Sequence, residues 1–139
     1  MKLSDLIPQN RDEVFKVEIT EGVQLDCVSY YSDKCQIAHK KLHQYFLENL
    51  MKAKTEDEKD LARLDFEVKY IAACVVGWNL ETKFTQEDLL LLLRSSPKIR
   101  GHIDSEASLR GFFTKQQDAT LPKKSKPQQK STNTKKDRS

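Results

Sequence analysis

Apolar and polar residues alternate twice near the start of the chain. Val14, Phe15, Val17 and Ile19 lead into Thr20-Glu21-Gly22, and Val23, Leu25, Cys27 and Val28 follow it. Period-two alternation with β-branched residues around a glycine predicts a β-hairpin over about 14–31. Gly22 is placed at the positive-φ position of its turn. A lone hairpin is marginal in water, so this one must lie against helices or another chain.

At Ser32 the period changes. Ser32 reads as an N-cap, with Asp33 in the first turn where the helix dipole favours a carboxylate. Cys35, Ala38, Leu42, Tyr45, Phe46 and Leu50 then recur at steps of three and four and predict a helix over about 33–53. Thr55 and Glu58 form a capping-box pattern. Leu61, Leu64, Val68, Ile71, Val75 and Trp78 follow at steps 3-4-3-4-3, predicting a helix over about 56–76. So short a link makes the two an αα-hairpin. Gly77 and Asn79 interrupt the pattern. Thr85 caps a short helix over about 86–95. Ser96 precedes Pro97 and is pushed from helical geometry. A last helix over about 98–113 carries Ile99, Ile103, Ala107, Arg110 and Phe113, weakened by Gly101 and Gly111.

From Lys115 onward the character changes. Ala119 and Leu121 are the only apolar residues there, among Lys, Gln, Ser and Thr. Such a segment buries too little apolar surface to offset the entropy of ordering, so 115–139 is expected to be a disordered tail. It also alters the charge picture. Its eight Lys or Arg and two Asp give +6, so the overall +3 leaves −3 for residues 1–114. The expected fold is therefore α+β and mainly α. An N-terminal β-hairpin precedes a helical domain, made of an αα-hairpin and two shorter helices, in residues 1–114. The basic tail follows.

Five consecutive leucines, Leu89 to Leu93, exceed one helix face. On the 3.6-residue period Leu89, Leu92 and Leu93 share a face. They are assigned to the core with Leu61, Leu64, Val68, Ile71 and Val75. Leu90 and Leu91 are left for the last helix or for a partner. With Trp78, Phe112 and Phe113 they are the candidate surface for a client segment or a second copy of the chain.

Candidate chemistry changes the picture little. Cys35, His39 and His43 share a helix face at i, i+4, i+8, a spacing compatible with zinc-ligand types. Along one straight helix they span about 12 Å, too far for a single ion, so they are assigned to a partly exposed polar edge. His102 has no partner on its face, and no nucleophile elbow, P-loop or dinucleotide fingerprint occurs. No catalysis, metal or cofactor is expected. Cys27, Cys35 and Cys74 are odd in number and lack a CxxC, which fits a reducing compartment. No run of 18 apolar residues is available to span a membrane. The tail cations Lys123, Lys124, Lys126, Lys130, Lys135, Lys136 and Arg138 have no aromatic residue among them on which bases could stack, so nucleic acid is not the expected partner.

The order of features resembles one family. The hairpin and two helices are followed by "AACVVGW", then "FTQEDLLLLLRSSPKIRGHI", then Arg-Gly-Phe-Phe at 110–113. This resembles the tail assembly chaperones of long-tailed bacteriophages over about residues 10–114. Val75, Val76 and Trp78 stand in the first block. Phe84, Thr85, Leu89, Leu92, Leu93, Pro97, Ile99 and Ile103 stand in the second, with Arg110 and Phe113 at its end. The short hairpin turn departs from the family pattern. The resemblance implies binding to the tape measure protein, which such chaperones keep soluble and extended, and recruitment of tail tube subunits. It implies no catalysis, self-association along a long client, a place in the host cytoplasm during assembly, and absence from the mature virion. It also implies that a ribosomal frameshift can append a second domain that contacts the tube protein. The Lys-Lys pairs at 123–124 and 135–136 are compatible with a slippery site. The alternatives are a structural tail-completion or connector protein of the virion, and a small nucleic-acid-binding regulator using the basic tail.

Overall fold

The computed structural model describes residues 1–7 and 11–110. Phe112, Phe113 and the basic tail from 115 lie outside them. The elements are α1 (Leu3–Leu6), β1 (Phe15–Thr20), β2 (Val23–Cys27), α2 (Asp33–Lys52), α3 (Glu56–Ala72), β3 (Val75–Trp78), α4 (Gln86–Ser95) and α5 (Pro97–Leu109). The fold is α+β and mainly α, as expected.

The hairpin forms where the alternation places it. Phe15 faces Cys27 and Val17 faces Leu25, with an irregularity between Glu18 and Thr20 beside the turn. Gly22 has φ 79°, a left-handed conformation that a β-carbon disfavours. Val17, Leu25 and Cys27 point inward and are buried. The cap residues also act as expected. Ser32, Thr55, Thr85 and Ser96 each accept from the backbone N–H three residues on, and Glu58 completes the box around Thr55. One cap serves two helices, since Ser96 both ends α4 and starts α5.

Three expectations are corrected. First, α3 ends at Ala72 rather than near 76, and Val75–Trp78 forms a third strand antiparallel to β2, giving the order β1-β2-β3. The hairpin leaves the far edge of β2 with unpaired backbone groups. Val75 and Val76 suit a strand better than a helix, and pairing satisfies that edge. The Val28 N–H donates to the Cys74 carbonyl at 2.7 Å, at the point where the chain leaves the helix. The Asn79 side chain locks the other end by accepting from the Gln24 N–H at 2.8 Å and donating to the Gly22 carbonyl at 3.0 Å. Val75 is buried, but as part of a strand. Second, α5 stops at Leu109, with Arg110 extended rather than helical. Its carbonyl accepts from the Ser29 hydroxyl at 2.6 Å, which ties the end of the helix to the segment after β2. Third, Leu61 is not core. It is 56% exposed, near the start of α3, where it borders an open hollow with Tyr45, Asn49 and Arg94 instead of being packed over. The helical turn α1 was not expected from the pattern and buries none of its residues.

The core lies between the sheet and the helices. Leu25, Cys27, Cys35, Val68, Ile71, Val75, Leu89, Leu93 and Ile103 are buried together. The central helix is α3, which packs against α2 on one side and α4 on the other, while α5 touches α3, α4 and β1.

Candidate protein-binding surface

The leucine run divides among three environments. Leu89 and Leu93 are fully buried, and Leu92 is half-buried. Leu90 is half-buried against the core. Leu91 is 66% exposed. The two residues reserved for another surface thus differ. Leu90 lies in a groove wall, and Leu91 faces water beside it. Trp78 is committed to the protein's own packing, unlike the expectation for it. Its indole N–H donates to the Thr82 carbonyl at 2.7 Å, and its ring meets Phe84 edge-on at 5.0 Å.

Other exposed apolar side chains lie on α2 and α3, where they were not anticipated. Leu47 and Met51 stand one turn apart on the outer face of α2, Met51 being 86% exposed. Leu61 is exposed on α3, on the side that faces Tyr45 and Arg94. The signal was present in the sequence, because both α2 residues fall off the Cys35/Leu42/Phe46 stripe on a helix whose other face already fills the core.

Between α2 and α4, over α3 and away from Leu47 and Met51, lie two hollows in line, together called the trough. Its floor is α3, at Ala62, Asp65, Lys69 and Ala72. One wall is α2, at Ala38, Leu42 and Tyr45, and the other is α4, at Leu90 and Arg94. The α2 wall extends from Lys34 to Lys52, about 27 Å at 1.5 Å per residue. Lys69 pairs with Asp65 at 3.1 Å and lies over the Tyr45 ring at 4.7 Å. Lys34 donates to the Ala73 carbonyl at 2.8 Å and closes one end.

The opposite seam of α2 and α3 is filled by rings. His39 stacks on Tyr70 at 3.5 Å, and its Nε2–H donates to the Tyr70 carbonyl at 2.9 Å. Phe66 packs between Phe46 and His43. Tyr30 donates its hydroxyl to Asp104 at 2.6 Å. Cys35 and His39 are buried here, so they are core rather than the polar edge expected of them. Burial lowers the His39 pKa, keeping the ring neutral, and raises those of the Tyr70 and Cys35 groups. Contact with the Cys27 thiol, together with burial, pushes the Cys74 thiol up. Thiols held protonated are poor nucleophiles and poor metal ligands. Among the described residues no three His, Cys, Asp or Glu side chains gather as a metal site, and no helix is long and apolar enough to cross a membrane.

Comparison with known proteins places these helices in a family. Residues 32–106 match the family model described as phage tail assembly chaperone. No curated protein and no solved structure matches the chain. The match begins at the Ser32 cap and runs through α2, α3, β3 and α4 into α5. It therefore takes in the trough and the exposed side chains of α2 and α3, and it covers more than half of the 139 residues. The chain belongs to the phage tail assembly chaperone family.

Proposed function

We propose that this chaperone binds the tape measure protein of its phage, keeps that long helical chain soluble and extended, and helps bring tail tube subunits to it. The observation that carries the reading is the coincidence of two spans. The family match covers the same helices that leave Leu47, Met51, Leu61 and Leu91 outside the core. A client rich in apolar helical stripes is covered by such side chains in the manner of helix-in-groove recognition. Many weak contacts along one long client sum to tight coating, so several copies act together. The protein acts by binding, without catalysis, in the host cytoplasm, and leaves before the virion is complete. The −3 charge of residues 1–114 keeps the coated complex soluble. A frameshifted extension beyond the Lys-Lys pairs supplies the contact to the tube protein.

Co-expression tests this directly. With the chaperone, the tape measure protein is recovered in the soluble fraction and co-purifies with it. Recovery of an equally soluble tape measure protein without the chaperone overturns the proposal. Mass spectrometry of purified particles tests the departure step, and stoichiometric chaperone in the virion would make it a structural component instead.

A further inference from the structure

The trough carries a charge pattern at odds with the rest of the body. Lys34, Lys41, Lys52, Lys69 and Arg94 line it, against Glu58 and Asp65. Both acids are already engaged. Asp65 holds Lys69, and the Glu58 carboxylate accepts from the backbone N–H groups of Lys54 and Thr55. Those two N–H groups are also what holds the Glu58 pKa low. Lys41, Lys52 and Arg94 form no ion pair among the described residues. So a positive rim stands over a floor with Ala62 at one hollow, Ala72 at the other and the Asp65–Lys69 pair between them, on a body whose net charge is −3. Small floor residues let a helix axis approach closely. The rim accepts carboxylates on either side of the apolar stripe of that helix.

We propose that the trough between α2 and α4 seats one amphipathic α-helix of the client, with an Ala- or Leu-rich stripe flanked by Asp or Glu. This rests on the chaperone reading above and specifies the segment that the chaperone selects. Electrostatic complementarity of this kind sets specificity and association rate more than raw affinity. The chain's own 115–139 segment is a poor occupant, because at +6 it would meet like charge.

The test uses the full chain and two dye-labelled synthetic peptides of about 18 residues, matching the trough at 1.5 Å per residue. One carries a Leu/Ala stripe flanked by Glu. Its twin has Lys in place of each Glu. Fluorescence anisotropy should show the Glu peptide binding at least about tenfold more tightly than its twin at low salt, with the gap closing as salt rises. The double variant Lys41→Glu/Arg94→Glu changes two exposed side chains, and circular dichroism checks its fold. It should invert the preference. Equal binding of the twins, or a variant that still prefers the Glu peptide, overturns the proposal. So does light scattering that shows a wild-type dimer dissociating in the variant, since a second copy would then be the occupant. Co-expression with the tape measure protein separates the two levels. A variant that solubilises the client as well as wild type does sinks the trough and leaves the chaperone function standing. A wild-type chain that fails to solubilise it sinks the function, while the peptide preference is still decided.

Discussion

Arg100 should be worth far more to stability than its ion pair suggests. In α4 the Leu93 carbonyl would normally receive the N–H of residue 97, but that residue is Pro97 and has no N–H to give. Leu93 is fully buried, so water cannot replace the donor. Arg100, one turn into α5, reaches back instead. Its Nη1 donates to the Leu93 carbonyl at 2.8 Å and the Arg94 carbonyl at 3.3 Å, while Nε pairs with Glu67 at 3.0 Å. The Arg100 side chain is 10% exposed and that of Glu67 56%.

Replacing Arg100 with Met keeps most of the aliphatic stem but orphans a buried carbonyl, a loss of about 1–3 kcal/mol. The half-exposed ion pair adds at most about 1 kcal/mol after solvent screening. Arg100→Met should therefore destabilise by about 1–4 kcal/mol. Glu67→Gln, which touches only the ion pair, should cost about 1 kcal/mol or less. Arg100→Lys should fall between, because an ammonium lacks the planar fork needed to serve both helices. Urea denaturation followed by circular dichroism gives the order directly, with unchanged slope as evidence of two-state behaviour. If Glu67→Gln proves as costly as Arg100→Met, the ion pair is the source of the stability and the carbonyl argument is wrong.

Leu91→Ser should change stability by no more than about 0.5 kcal/mol, whereas Leu93→Ala should cost about 2–5 kcal/mol. Paired melts of the two variants check the contrast, and Leu91→Ser should weaken co-purification of the client. Thr55→Ala removes the cap of α3 and should cost about 1 kcal/mol by chemical denaturation. His39 has its pKa lowered by burial, from an ordinary value of 6.5, so below that value the unfolded chain takes up a proton that the fold resists. Its contribution is complete above pH 6.5 and declines as pH falls from there toward the lowered folded value. The denaturation midpoint of wild type should drop between pH 7.5 and 5.5 by more than that of His39→Phe, which keeps a ring against Tyr70.

Local signals were the legible part of this chain. Caps at Ser32, Thr55 and Thr85 set the starts of three helices because a cap is a contact three residues long. The Gly22 turn was legible because a glycine between alternating segments has few other uses. The end of α3 was not, because Val75 and Trp78 continue its helical spacing while also fitting a strand. Only the edge of β2, some fifty residues earlier in the sequence, decides between them. Leu61 misled for a related reason. Periodicity reports which face of α3 is apolar, but not how tightly the neighbouring helices close over each end of it. The candidate surface was legible as a surplus of leucine rather than as a place. The surplus narrowed to Leu91, and the larger share lay on α2 and α3.

The third strand also bears on the trough. A helix running unbroken to residue 76 would carry the chain past the sheet and leave the edge of β2 open. Ending at Ala72, the chain instead crosses β2 as Val75–Trp78 and turns back through Phe84. It re-enters as α4 with Gln86 beside Ala72 and Ala73, and Arg94 beside Leu61 and Asp65. That return makes α4 antiparallel to α3 and places it as a wall facing α2, with α3 as the floor between them. Gly77 belongs to the same device, since a β-carbon there would stand 3.1 Å from the Asp26 carboxylate, the group that pairs with Lys16 at 2.8 Å across the hairpin. Gly77→Ala should therefore press on the strand that orients α4. If the trough is the client's seat, that substitution should weaken client binding through a displaced wall while the exposed rim residues stay unchanged. Normal binding in a variant whose melting shows a strained sheet would mean that the wall's position does not matter, and that Leu47 and Met51 on the outer face of α2 carry the contact.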